Sequence, residues 1–286
     1  MDAAQAAKAQ RLRALHDRRA PLLIGNAWDA ASARAFELAG FDAIGTSSAG
    51  VAWAHGYPDD DSLPLQAMLD AIERIAASVF LPVTADLGRG YGDTPQDVAR
   101  ACEAAVAAGA VGANLEDSAA AGAPDALVDV DSQVARIRAV RQAADALGIA
   151  FVINARTDSW WKRLGDEESR IAESIRRGRR YRDAGADCVF VPGVTRSDSI
   201  RRLVEGIGGP INVLTVPGCP PIDELRRLGV ARVSVGSGAA RAALSLTMRI
   251  ARELRSSGTY ETLQTDTLGY ADVDGWFGRR CRQRRP

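Results

Sequence analysis

One pattern recurs along the chain. A helix-like stretch ends in glycine, and a short apolar run follows: LAG-FDAIGT at Gly40, AAG-AVGANLE at Gly109, ALG-IAFVINA at Gly148, DAG-ADCVFVP at Gly185 and RLG-VARVSVG at Gly229. Glycine accepts the left-handed backbone that ends a helix. The runs after it are too short and too apolar for another helix, and read as parallel strands buried on both faces. Three more runs lack the glycine: Leu22-Leu23-Ile24, Leu81-Pro82-Val83-Thr84 and Ile211-Asn212-Val213-Leu214. That makes eight strands.

The intervening stretches have helical spacing. Thr94-Pro95 supplies a cap and a first-turn proline, with Asp97 three residues on; Val98, Cys102, Ala105 and Val106 then share one face. Asp131 is placed to cap the next helix, whose Val134, Ile137, Val140, Ala144 and Leu147 fall on one side. Ser197 is placed to cap another, with Ile200, Leu203 and Val204 inward. Asp29 suits the cap of a helix over 30–38. Eight strands alternating with helices over about 220 residues predict a (β/α)8 barrel, an open doubly wound sheet being the alternative. No composition break divides the chain. It reads as a single domain over 1–286, with a leading helix over 1–20 and a basic tail over 278–286.

Composition then removes function classes. The 36 basic and 36 acidic side chains balance, which argues against a nucleic-acid binder. No apolar run reaches the ~18 residues that span a bilayer, and the first 20 residues lack the compact apolar stretch of a signal peptide, so a cytoplasmic protein is expected. The four cysteines form no CxxC pair, which argues against a zinc site or a disulfide framework. The two lysines, Lys8 and Lys162, are placed in the leading helix and in a loop-like stretch, which argues against a lysine Schiff base.

In such a barrel the residues just after each strand share one rim, where active sites lie. Here these are Asn26, Trp28 and Asp29; Thr46, Ser47 and Ser48, then a loop with His55, Tyr57 and Asp59-Asp60-Asp61; Thr84 and Asp86, then Gly88 and Arg89; Asn114, Glu116 and Asp117; Asn154, Arg156 and Asp158; and, beyond, Asn212, Thr215, Cys219 and Gly236-Ser237-Gly238. Asp86 and Glu116, on neighbouring strands, suit Mg²⁺ with water completing its octahedron. Arg156 suits a bidentate carboxylate clamp, or else neutralises Asp158 or Glu116. Ser47, Ser48 and Ala49 suit a turn that holds an oxyanion, or plain loop chemistry. Two of Asp59, Asp60 and Asp61 are expected to be solvated, in part as acids before a helix. Cys219 reads as a small buried cysteine. His55 reads as a surface histidine, with an acid/base role as the alternative. The expected ligand is a small, multiply charged acid.

The segments GNAWDAASA, GTSSAGVAWAHGYPD, PVTADLGRGYGD, GAVGANLEDS, VINARTD, GADCVFVPGV and VARVSVGSG together resemble the isocitrate lyase/phosphoenolpyruvate mutase superfamily, roughly from Pro21 to Ala243. The resemblance implies a (β/α)8 barrel whose last helix is swapped between subunits of a homodimer or homotetramer, Mg²⁺, and an enolate intermediate. It assigns Ser47, with the N–H groups of Ser48 and Ala49, to the acid's oxygens, and Trp28 and Asn212 to the substrate pocket. Asp59 is assigned to orienting metal-bound water, Asp86 and Glu116 to the metal, and Arg156 to the substrate; Asp59, Glu116 and Arg156 are the expected catalytic residues. The chain departs from the pattern in three places. The lyase K-K/R-C-G-H loop is replaced by SAAAGAPDALVD, which has no Lys, Cys or His. The first carboxylate of the metal motif is Thr84. Short relatives tend to read ADLEAGYG where this chain reads ADLGRGYG. Isocitrate or methylisocitrate lysis by the usual mechanism is therefore set aside. Three readings stay open: a Mg²⁺-dependent carbon–carbon lyase of a small 2-keto or 2-hydroxy (di)carboxylate, a P–C mutase or hydrolase, and a repurposed member that binds a small acid.

Overall fold

Eight strands close into one barrel in the computed structural model, which describes residues 2–16, 20–119 and 126–278. They are β1 (Leu22–Ala27), β2 (Ala43–Thr46), β3 (Val83–Asp86), β4 (Gly112–Glu116), β5 (Val152–Arg156), β6 (Cys188–Phe190), β7 (Ile211–Leu214) and β8 (Arg232–Ser234). Each pairs in parallel with the next, and β8 returns to β1. The helices are α1 (Ala3–Ala14) ahead of the barrel, α2 (Ala30–Leu38), α3 (Ser48–Ala54), α4 (Leu65–Ser78), α5 (Pro95–Ala107), α6 (Val130–Ala146), α7 (Glu167–Asp183), α8 (Ser197–Ile207) and α9 (Ile222–Arg227) between strands, and α10 (Gly238–Ser256), α11 (Glu261–Gln264) and α12 (Tyr270–Gly275) after them. This is the expected (β/α)8 barrel, and the closed sheet excludes the open alternative.

The five hinge glycines have φ between 67° and 108°, where a side chain would clash with the backbone. Thr94 and Asp97 form a reciprocal capping box at α5, and Asp29 caps α2. Other local expectations are corrected. Asp129, not Asp131, caps α6: the helix begins two residues earlier, and Asp131 pairs with Arg180 instead. Ser197 lies inside α8, after an N-cap at Arg196 that makes no side-chain bond, and its hydroxyl donates to Glu224. Leu147 follows the last turn of α6 and is 43% exposed. Asp60 accepts from the Ser62 N–H, but none of the three adjacent aspartates caps α4, whose N-cap is Pro64. The leading helix is shorter than expected, and all of the basic tail after Gly278 lies outside the described residues.

Two features fix the barrel's ends. Asn26 on β1 donates to the Thr46 carbonyl at 3.0 Å and accepts from the N–H groups of Val235 and Gly236 at 3.0 and 2.9 Å. One side chain thus joins the first, second and last strands at the rim. At the opposite end α1 crosses the strand starts. Ala9 and Leu12 are fully buried, Gln5 donates to the Val106 carbonyl and Arg13 to that of Phe151. Between the ends lies a polar layer. Arg232 is fully buried and donates to Asn114 Oδ1, which also accepts from Asn154.

His16 follows α1, and its Nδ1 faces the Leu12 carbonyl at 2.8 Å. Burial, with the Arg232 charge second, lowers its pKa from 6.5 to about 4. The unfolded chain therefore takes up a proton in a range where the folded one does not. Stability should fall as pH drops from about 6.5 to about 4, with an upper limit of about 3 kcal/mol from this group. His16→Gln keeps a donor for Leu12 and should remove this component. Urea denaturation of both proteins at pH 7 and pH 4.5 checks it, and equal pH dependence in the two would contradict it.

Candidate active site

The strand ends surround a cavity of about 260 Å³. Behind Ser48, which lines this cavity, Asp86, the last residue of β3, is held by its neighbours. Its Oδ2 accepts from the Ser48 N–H at 3.1 Å and the Ser48 hydroxyl at 2.9 Å, and its own N–H donates to Thr46 Oγ1 at 2.7 Å. Ser47 is the N-cap of α3 and accepts from the Gly50 N–H. The predicted oxyanion turn is therefore the start of a short helix, and the Ser48 N–H already faces a carboxylate.

The wall is built on β4 and β5, whose register places Glu116 opposite Arg156. Arg156 Nη1 lies 2.8 Å from Glu116. Its Nε and Nη2 grip Asp158 at 2.6 and 3.1 Å, the two-bond geometry that guanidinium and carboxylate favour. The guanidinium also lies against the Phe190 and Trp161 rings. Both proposed readings of Arg156 as a neutraliser thus hold at once in this structure. Burial pushes Glu116 up to about 8, the Arg156 charge offsetting part of that. Asp59 is raised too, first by burial and then by the Asp86 charge.

A second charged layer supports the first. The Asp158 N–H donates to Asp117, which also accepts from Tyr181 at 2.6 Å and Arg177 at 3.1 Å. Asp117 is fully buried, so its charge depends on these donors. Removing Arg177 while keeping its bulk, as in Arg177→Met, should destabilise the fold by about 3–5 kcal/mol. Chemical denaturation measures this; a loss below 1 kcal/mol would show that Tyr181 and the Asp158 N–H suffice.

The cavity brings together four of the predicted residues, Ser48, Asp59, Glu116 and Arg156, with Asp86 bonded to Ser48. Ser47, Ala49 and Asn212 are buried, Trp28 packs on the core, and none of these four lines the cavity. Asn212 accepts from Ser234. His55 bonds the Val51 carbonyl from outside the cavity. Lys162 corrects the sequence reading: the turn after Trp160-Trp161 carries it to the cavity wall. Arg177, Tyr181 and Arg232 were missed as partners, whereas Asp158 was named as one for Arg156. Only Arg177 and Tyr181, four apart on a helix, carried a spacing cue. Asp59, Asp60 and Asp61 all lie at the cavity mouth; Asp61 is engaged by Arg89, and the carboxyl of Asp59 is partly withdrawn from water. Residues 120–125 of the loop that replaces the lyase sequence lie outside the described residues.

Among the described residues no three His, Cys, Asp or Glu side chains converge as a metal cage. Mg²⁺ does not require one, because it keeps several waters and takes one or two carboxylates. Asp86 and Glu116 offer such a pair, and the Asp86 charge is felt at both Glu116 and Asp59. This donor set fits Mg²⁺ held largely through water. Thr84, fully buried with its hydroxyl unpartnered in the protein, adds no charge.

Residues 12–255 match the family model described as phosphoenolpyruvate phosphomutase, and the chain belongs to that family, within the phosphoenolpyruvate mutase/isocitrate lyase superfamily. The 2-methylisocitrate lyase of Escherichia coli (strain K12) is 32% identical over 89% of this chain and 88% of its own. A crystal structure from Burkholderia cenocepacia J2315, provisionally described as a lyase/mutase, is 41% identical, with a TM-score of 0.89 over 97% of this chain and 98% of its own. Phosphonopyruvate hydrolase, solved with oxalate and Mg²⁺, is 26% identical, with a TM-score of 0.82 over 96% of each chain. Related enzymes are lyases, decarboxylases or hydrolases named for small carboxylates: methylisocitrate, oxaloacetate and phosphonopyruvate. No described helix is long and apolar enough to cross a membrane.

Proposed function

We propose that the protein is a Mg²⁺-dependent lyase that cleaves a carbon–carbon bond in a small 2-keto or 2-hydroxy (di)carboxylate. The observation that carries this reading is that Asp59 and Glu116 line one cavity with Arg156 in its wall, while Asp86 is bonded to Ser48 of the same lining. Asp86 and Glu116 would hold the metal, Asp59 through water. When bound, Mg²⁺ supplies the positive charge that stabilises an oxygen becoming an enolate. The protein's own groups do the rest. The unpaired N–H edges of Arg156 orient the acid. Asp59, raised above an ordinary carboxyl, holds and returns a proton. The cleaved bond leaves its electron pair on the carbon beside the carbonyl or carboxylate, where a proton quenches it; the other fragment departs as CO2, or as a carbonyl compound once its hydroxyl proton has passed to the protein or to water.

Purified protein with Mg²⁺ should consume oxaloacetate or a 2-alkylmalate, and Asp86→Ala should lower kcat/KM by about 100-fold or more. Wild-type protein that neither binds nor converts any such acid would sink the proposal. Phosphonopyruvate should give an unchanged phosphorus NMR spectrum.

The C-terminal helices support a homo-oligomer. Ala240 is the one buried residue of α10, whereas Leu244 and Met248, one turn apart, are 52% and 51% exposed. That apolar face is suited to cover a second copy, in a dimer or tetramer. Leu244→Glu with Met248→Glu should shift the sedimentation velocity peak to monomer; an unchanged oligomer would rule this face out.

A further inference from the structure

Two arginines line the cavity, and they differ in what their forks face. Arg156 has all three nitrogens engaged: Nε and Nη2 by Asp158, Nη1 by Glu116. Arg89 is held only at Nε, which donates to Asp61 Oδ2 at 2.6 Å. Its two terminal nitrogens make no hydrogen bond to the described residues. They form the edge of a guanidinium that takes a carboxylate through two parallel bonds.

The surroundings maintain this arrangement. Asp61 sits at φ 65°, in the left-handed region that aspartate tolerates better than most residues. Gly88 has φ 54°, and a Cβ there would come within 2.8 Å of Asp61 Oδ1. A side chain at position 88 would therefore push Asp61 from its place beside Arg89. The Gly88 carbonyl accepts from the Glu116 N–H at 2.9 Å, which ties the Arg89 loop to the end of β4. Elsewhere the cavity wall is mostly acidic, with Asp59, Asp60, Glu116 and Asp158 against Lys162. An anionic substrate is repelled by that wall except where a cation has unengaged donors.

We propose that Arg89 reads the second carboxylate of a dicarboxylate substrate through Nη1 and Nη2, with Asp61 holding the guanidinium from its Nε side. The inference rests on the proposed function above, because it takes the first acid group to bind beside Asp86 and Glu116. It narrows the substrate class from small acids to diacids. It also gives the Gly88-Arg89 pair a use: the glycine makes room for Asp61, and the arginine meets the far end of the ligand.

The test is calorimetric, on the Mg²⁺-loaded protein, with oxalate, lactate and malate. Oxalate occupies the near subsite alone, and lactate differs from malate by the distal carboxylate. Wild type should bind malate more tightly than lactate. Arg89→Met should weaken malate by about 10- to 100-fold, the range for losing charge-assisted hydrogen bonds, and leave lactate and oxalate unchanged. Arg89→Lys, which keeps the charge without the fork, should also lose malate affinity while retaining oxalate; it serves if the methionine variant misfolds. An unchanged malate-to-lactate ratio with oxalate still bound overturns the role of Arg89 alone. Failure of wild type to bind oxalate and malate overturns the proposed function and this inference with it.

Discussion

A single guanidinium holds the site together. Arg156 joins Glu116 on the neighbouring strand to Asp158 just beyond its own. Both carboxylates lie where burial penalises charge, so neither can be packed there without a cation beside it. Asp158 in turn fixes its backbone on Asp117, and Asp117 is neutralised from α7 by Arg177 and Tyr181. The chain of charges runs from the cavity through the strand ends into the surrounding helix. Its geometry explains why Arg156 is a poorer ligand clamp than its position in the sequence suggests: most of its donors are already committed.

The same constraint separates what the sequence made legible from what it hid. The hinge glycines were readable because glycine best suits the backbone that ends a helix, and five such hinges marked five of the eight strands. The carboxylate rim was readable because strand ends in a barrel converge whatever their distance along the chain. Side-chain pairing was not. Asp129 and Asp131 are both acids within one turn, and only the helix start decides which one caps. Lys162 lies in a stretch without periodicity, so nothing in its neighbours showed that the turn points inward. Arg232 stands in an apolar strand as the one charge, and its place among Asn114 and Asn154 depends on strands 118 and 78 residues away.

The departures from the family pattern are coupled in space. Thr84 removes a charge from the barrel interior, Gly88 removes a side chain beside Asp61, and Arg89 adds a cation at the cavity wall. Read separately they look like losses around a metal motif. Together they remove a negative charge inside the barrel and add a positive one at its mouth, where a ligand can meet it. Scarcity of lysine and histidine has a related effect: with one lysine and no histidine at the described cavity wall, its titratable groups are mostly carboxyls, and burial raises the proton affinity of Glu116 and Asp59.

Asn26 has a consequence for synthesis. Its carboxamide bonds to β2 and to the two residues that follow β8, so the rim is complete only when segments more than two hundred residues apart meet. A ribosome releases the first strand long before residue 236. Until then the rim carboxylates have partners only on strands already made, and the emerging barrel presents an open edge between β1 and its missing neighbour. Such an edge invites mispairing in the interval. For this protein the completion of the rim and the sealing of that edge coincide, because both need β8 beside β1.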